Sequence, residues 1–306
     1  MKVLVAGELN ADFIFRGFDS LPRPGRETIA TEFSIELGSS SAITAAGLGR
    51  LGTPVSFLGK AGSDMVGHFC VNELRTAGVD TRLIQLRPEW KTGITAVFTA
   101  DDRALSTYPG VMAALTVEDV TAPILQDFKH LHVASYFLQS GLQPGLQDLF
   151  QSAREMGLSV SFDPGCDPSG KWDPGIHAIF ELCDILFVNE IELAEFSRST
   201  TVESGLHALG TGPRIVIAKL GKKGSACWSE GQFYRASALD VQAIDTTGAG
   251  DSFNAGFLHA WLSGCPIQDC LQCGSICGSL SACRLGGCAG QPRWPEVEQR
   301  IRAMAG

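Results

Sequence analysis

Short apolar runs rich in β-branched residues recur along the chain at 3–7, 55–59, 130–134, 158–162, 185–188 and 215–218, and each reads as a strand. Between them the residues at 40–51, 65–77, 117–127 and 146–156 read as helices. Alternation of this kind implies an α/β fold, a doubly wound, mostly parallel sheet with helices on both faces. Ligands of such sheets bind beyond the carboxyl ends of the strands.

Two stretches break the rhythm. Residues 12–16 with 28–36 form one, and 93–100 with 104–108 form the other, a hairpin turning at Asp101-Asp102-Arg103. No helix separates these strands. They predict a small antiparallel sheet projecting from the main body as a lid, with strands drawn from about 12–36 and 93–108. No repeat or linker divides the rest, so a single domain over 1–306 is expected.

Composition narrows the partners. At 306 residues one core buries roughly three quarters of the unfolded chain's surface, so disulfides are not needed for stability. The net charge of -9, with no basic stripe, argues against nucleic acid and anionic membranes. The first residues are apolar only until Glu8, Asn10 and Asp12, which excludes a signal peptide, and no run reaches transmembrane length. With ten cysteines and no export signal the expected compartment is a reducing cytoplasm. Cys270, Cys273 and Cys277 have metal-like spacing, but offsets of three and seven also share one helix face, where cysteine packs as a small hydrophobe.

The chemistry concentrates in Asp245-Thr246-Thr247-Gly248-Ala249-Gly250-Asp251-Ser252-Phe253. Phe253, Phe257 and Trp261 recur every four residues, so Gly248-Ala249-Gly250 opens a helix. Free amides and the helix dipole make an anion site there, with Asp251 in the first turn beside it. Such a carboxylate can take a proton from an attacking hydroxyl while the amides take up phosphate charge. An ordinary helix start also favours Gly and Asp, so the segment alone leaves both readings open.

That segment resembles the C-terminal motif of the ribokinase-like (PfkB) family of carbohydrate kinases, a pattern close to D-T-x-G-A-G-D-x-F. The resemblance covers nearly the whole chain: Gly7-Glu8-Leu9-Asn10-Ala11-Asp12, Gly59-Lys60-Ala61-Gly62-Ser63-Asp64 with Gly67, the N-x-x-E of Asn189 and Glu192, and Lys219-Leu220-Gly221-Lys222-Lys223-Gly224. It implies a kinase moving the γ-phosphate of ATP to an alcohol of a small sugar-like molecule. Asp251 would be the base, and the amides of Gly248, Ala249 and Gly250 the anion hole. Asn189 and Glu192 would organise Mg²⁺ and the phosphates, Glu192 through water. Lys219 would neutralise transferring charge, with Gly221 and Gly224 shaping the nucleotide-side turn. Asn10, Asp12, Gly38, Ser39 and Ile43 would face the acceptor. Family members often bind a monovalent cation such as K⁺ near the last motif, where Asp245, Thr247, Arg284 and Gly286 lie. The lid offers a surface for a homodimer.

The sequence departs from the family at the second helix. Ser39 stands where a second Gly is usual, and Ile43 where an Asn is. Ile43 can neither donate nor accept, so ribose is expected to be a poor acceptor, and Ser39 and Ser40 offer hydroxyls to a differently shaped ligand. A ketohexose or keto-deoxy sugar acid is favoured. A nucleoside is the alternative, with Phe13, Phe15 and Phe33 either facing a base or packing the lid itself. A sugar-binding homologue without turnover is the rival from another class, although a pure binder needs neither Asp251 nor the N-x-x-E pair.

Two glycine motifs mislead. Gly47-Leu48-Gly49-Arg50-Leu51-Gly52 fits the dinucleotide fingerprint but falls inside and at the end of a helix rather than after a strand. Gly165-Cys166-Asp167-Pro168-Ser169-Gly170-Lys171 ends in Trp172 where a magnesium-binding Ser or Thr is required. His130 and His132 alternate on a predicted strand and read as structural. The run of Glu190, Glu192 and Glu195 would otherwise be a solvated helix face.

Overall fold

The computed structural model describes residues 1–100 and 103–305, with Arg103 and Ala305 by backbone only. In chain order the strands are β1 Val3–Ala6, β2 Asn10–Arg16, β3 Glu32–Leu37, β4 Val55–Gly62, β5 Ile84–Arg87, β6 Gly93–Thr99, β7 Arg103–Tyr108, β8 His130–Ala134, β9 Ser159–Asp163, β10 Ile185–Asn189, β11 Ile215–Lys219, β12 Ser225–Ser229 and β13 Gln232–Ala236. The α-helices are α1 Ser40–Arg50, α2 Met65–Thr76, α3 Ala122–Leu125, α4 Leu146–Glu155, α5 His177–Phe180, α6 Glu190–Ser197, α7 Val202–Leu209, α8 Ala249–Leu262, α9 Ile267–Ser281 and α10 Trp294–Ala305.

The main sheet has the order β13-β12-β11-β10-β9-β8-β1-β4-β5, parallel throughout except for β12 and β13 at one edge. The chain runs from β1 outward to β4 and β5, then returns to β8 on the other side of β1. That reversal puts a crevice at the carboxyl ends of β1 and β8. Alternate residues feed two cores. Val3, Val5, Ile185, Phe187, Ile215 and Ile217 join the cluster that includes Phe253 and Phe257 of α8. Leu4, Leu131, Val133, Leu186, Val188 and Val216 join the cluster that includes Leu149 and Phe150 of α4 and Leu206 of α7. Burial of both faces is what made these strands read as unbroken apolar runs.

The predicted strands and most predicted helices are present. The predicted helix at 117–127 is not one helix. It divides into a 3₁₀ turn, Val117–Asp119, and the short α3, because Pro123 has no N–H for the carbonyl of residue 119. The lid is a four-stranded sheet in the order β3-β2-β6-β7. Its outer pairs are antiparallel, while β2 and β6 run parallel. The turn assigned to Asp101 and Asp102 lies outside the described residues.

The false leads have structural explanations. Gly47 and Gly49 lie inside α1, where Gly47 meets Ala255 of α8 and Gly49 meets the backbone of Ala77. Helix packing excludes a side chain at both. Asp167 accepts backbone amides from Ser169, Lys171 and Trp172, which folds its glycine-rich loop on itself. Cys270, Cys273 and Cys277 are buried on α9. His130 bonds Ser159 and Ser161, and His132 bonds Ser161. Burial drives the two imidazoles down to about 3 and about 4, so both are neutral.

Candidate active site

Five strand ends and three helix starts meet at the crevice. Gly248 precedes α8 with a positive φ of 68° and lies against the backbone of Gly287, so the position excludes a side chain for two reasons. The Ala249 amide turns back to the Thr246 carbonyl at 3.2 Å. The helix otherwise opens with free first-turn amides, as any α-helix does. Asp251 follows in that turn. Burial pushes its carboxyl up to about 6, against the opposing pull of the Lys219 ammonium and of the nearby Ser40 hydroxyl.

Lys219 comes from the end of β11. Its ammonium pairs with Asp163 at the end of β9, Nζ to Oδ2 2.5 Å, and Asn254 of α8 donates to the same oxygen at 2.6 Å. Burial alone would raise Asp163, but the lysine charge and the two hydrogen bonds hold its carboxyl below the ordinary aspartate value. Burial likewise opposes charge on Lys219, and the carboxylates of Asp163, Glu192 and Asp251 outweigh it, so its pKa is raised. The ammonium lies 3.4 Å from where a Cβ on Gly250 would sit, which places it against the first turn of α8. Asp163 and Asn254 were missed in the sequence. The available signal for Asp163 was its place one residue past a predicted strand, where such sheets put ligand-facing groups.

The N-x-x-E pair is a capping box on α6. Asn189 Oδ1 accepts from the Glu192 amide at 2.9 Å, and Glu192 accepts from the Asn189 amide at 2.8 Å and from its Nδ2 at 2.6 Å. Glu192 is buried, and burial, reinforced by Asp163, pushes its carboxyl up to about 7. Among the described residues no group of three His, Cys, Asp or Glu forms a metal cage. A carboxylate already holding two amide groups fits Mg²⁺ that keeps its waters. Beyond β11, Gly221 and Gly224 both have positive φ, and Gly224 abuts the backbone of Ala236.

Asp245 ties two loops together. It accepts from the Thr247 amide and hydroxyl at 3.0 and 2.8 Å and from the Gly286 amide at 3.0 Å. Arg284 is exposed and lines a surface cleft with Arg50 and Arg293.

On the lid side, Asn10 and Asp12 of β2 converge over Gly38, where any Cβ would meet both of their side chains. Burial pushes Asp12 up to about 7, with Asp245, Asp251 and Glu36 adding to it and the Asn10 amide opposing. Ser39 holds a positive φ of 71°, a conformation that costs a non-glycine residue roughly 1–2 kcal/mol. Its hydroxyl donates to Asn10 Oδ1 at 2.5 Å and accepts from the Asn10 amide at 3.0 Å. The Ser39 hydroxyl is therefore already engaged by Asn10 rather than free for a ligand. Ile43 is buried in the core against Gly287. Phe13, Phe15, Phe33 and Phe98 stack on one another with centroids 5.0 to 6.0 Å apart. The strand alternation puts them on the face opposite Asp12, so they pack the lid. Beneath β1, Glu8 accepts from the Ser41 hydroxyl at 2.6 Å and its amide at 3.2 Å, which neither motif nor spacing had flagged.

A buried carboxyl, a lysine and a helix start meet at one crevice, and residues 1–294 match the model of the pfkB family carbohydrate kinases. The chain belongs to the PfkB family. It is a carbohydrate kinase of that family. It is similar to the ATP-dependent ribose-1-phosphate kinase of Halopiger xanaduensis, 30% identical over 94% of this chain and 93% of that one. The nucleoside kinase of Methanothermobacter thermautotrophicus is 28% identical over 99% and 96%. A structure described as ribokinase II from E. coli superimposes with a TM-score of 0.89 at 25% identity over 99% of each chain. That protein has also been crystallised with ATP and Mg²⁺ (TM-score 0.86, 24% identity, 99% of each chain). Among the described residues no helix is long and apolar enough to cross a membrane.

Proposed function

We propose that this PfkB kinase transfers the γ-phosphate of ATP to an alcohol of a small sugar or sugar-like molecule, a ketohexose or keto-deoxy sugar acid being favoured over a nucleoside. The observation that carries the reading is the Asp251 carboxyl beside the Lys219 ammonium on the opening turn of α8. The acceptor hydroxyl lies between Asp251 and the γ-phosphate and gives its proton to Asp251. The amides of Gly248 and Gly250, with Lys219, take up charge on the transferring group, the Ala249 amide being already given to the Thr246 carbonyl. Bound Mg²⁺ supplies charge neutralisation at the phosphates, and Glu192, oriented by Asn189, holds it through water. Asn10 and Asp12 orient the acceptor over Gly38. Asp245, Thr247 and the Gly286 loop are the place for a monovalent cation, through backbone oxygens.

The whole chain acts as one kinase domain in this reading. The outer lid face supports a homodimer: Phe33, Ile35 and Tyr108 are 56%, 36% and 54% exposed on one sheet face, an apolar surface of the kind that marks an interaction site.

ADP release measured against hexoses, pentoses, keto-deoxy sugar acids and nucleosides tests the function. Alcohol-dependent ADP formation with at least one class is expected. Tight nucleotide binding with no alcohol-dependent turnover would make the chain a binding homologue instead.

A further inference from the structure

Ser39 occupies a backbone conformation suited to glycine, yet it is a serine with both hydrogen-bonding functions of its hydroxyl used. The Asn10 main-chain amide donates to Oγ at 3.0 Å, which leaves the hydroxyl hydrogen for Asn10 Oδ1 at 2.5 Å. With Oδ1 fixed as the acceptor, the amide has only one orientation. Its Nδ2 must point the other way, toward Thr95 Oγ1 on β6 at 2.9 Å and Asp12 Oδ1 at 3.5 Å. Thr95 in turn meets Thr107 on β7 at 3.1 Å. A chain of side-chain hydrogen bonds therefore runs from the start of α1 across three lid strands. Asn10 and Asp12 are 4% and 8% exposed, so water does not compete freely for these groups.

We propose that Ser39 is a positioning residue for the acceptor, acting through Asn10: its hydroxyl locks the Asn10 amide so that an N–H faces the Asp12 carboxylate and any substrate hydroxyl shared between them. This rests on the reading of Asn10 and Asp12 as the acceptor side. Without the hydroxyl, the Asn10 amide is held only through its Nδ2 contacts to Thr95 and Asp12, and its carbonyl oxygen loses the partner that fixes its place. The site then binds the acceptor less well, while Asp251, Lys219 and the helix amides, which carry the transfer, are untouched.

The test is a mutant cycle with the best acceptor from the ADP-release screen, using Ser39→Ala, Ser39→Gly, Asn10→Ala and the double variant Ser39→Ala/Asn10→Ala. Ser39→Gly removes the hydroxyl while relieving the backbone, so it separates lost positioning from misfolding. Both Ser39 variants are expected to raise the acceptor KM about tenfold, the loss of one hydrogen bond's discrimination, with kcat and the ATP KM within twofold of the parent. In the Asn10→Ala background the Ser39→Ala change should add nothing, because the group it positions is gone. Unchanged acceptor KM in both Ser39 variants, or effects that simply multiply in the double variant, would overturn the positioning role while leaving the acceptor reading intact. An Asn10→Ala enzyme with a normal acceptor KM would overturn the acceptor reading, and this inference with it.

Discussion

On the α8 side of the crevice, charge is held by one buried ion pair and a run of backbone amides. On the lid side, an asparagine and an aspartate are held by neutral hydroxyls and by a glycine that leaves them room. In the first arrangement Asp163 binds both Lys219 and Asn254, and Lys219 sits against the turn that carries Asp251. In the second, Asn10 is held by Ser39 and Thr95, which join strands of a small sheet to a helix start. A side that stabilises the same phosphate in every turnover suits fixed dipoles. In the proposed function the lid side selects the acceptor through a few polar contacts, and one of their members, Ser39, is a position at which the chain departs from its family.

The difference can be broken hardest at Asp251. Asp251→Asn keeps the size of the side chain and its place in the first turn of α8 but cannot accept a proton. Single-turnover phosphoryl transfer should fall roughly 10²–10⁴-fold with the melting temperature nearly unchanged. A rate within tenfold of the parent would remove Asp251 as the base. Lys219→Met should hit both rate and fold. It leaves Asp163 buried without its partner ion, at a cost of about 3–5 kcal/mol, read as a large drop in the denaturant midpoint. Adding Asp163→Asn to it should recover much of the stability and none of the rate. No recovery would mean that the pair does not act as a unit.

The same contrast has a pH signature. Asp251, raised to about 6, must be ionised to act, so kcat should fall tenfold per unit below about pH 6 and level off above it. Stability runs the other way. A carboxyl whose pKa is raised on folding favours the native state most below its unfolded value, and that contribution is lost as pH rises through about 6. Asp12, raised to about 7, should appear in kcat/KM for the acceptor and not in kcat. Profiles of Asp12→Asn check this. Loss of the upper inflection with the lower one retained is expected, and an unchanged profile would show that Asp12 does not titrate in that step.

Legibility in the sequence follows the same division. The strands of the main sheet were readable because both faces are buried, and α8 because three aromatics mark its face. Asp251 and the glycines before it were readable because a helix start needs only neighbours in sequence. Asp163, Asn254 and the Ser39–Asn10 bond were not, since each joins residues 29 to 91 positions apart and leaves no periodic trace. The edge strands β5 and β13, and β12 beside β13, also passed unread. β5 is only partly buried, and the apolar run of β12 is cut to three residues between Ser225 and Ser229. Pro123 is the residue in the sequence that stands against one helix over 117–127.

The smallest effect is expected at the outer face of the lid. Phe33 lies 5.0 Å from Phe15 by ring centroid and is 56% exposed, so its ring is half spent on the lid and half offered to solvent. If that face pairs two copies, Phe33→Ser removes apolar area from both sides of a two-fold contact at once. Burying such a ring is worth about 1.5–3 kcal/mol. Losing about half of it twice weakens association by roughly ten- to a hundredfold. Sedimentation velocity over a dilution series should then show the variant as monomer at concentrations where the parent is dimer. Its kcat should stay within about twofold of the parent, because Phe33 is on the sheet face opposite Asp12 and touches nothing that handles the phosphate. A parent that sediments as monomer throughout would leave the aromatic face serving the lid alone. A variant that remains dimeric would move the contact to another surface. A variant that lost most of its kcat while remaining folded would tie the outer face of the lid to the chemistry, and so erase the division between the two sides.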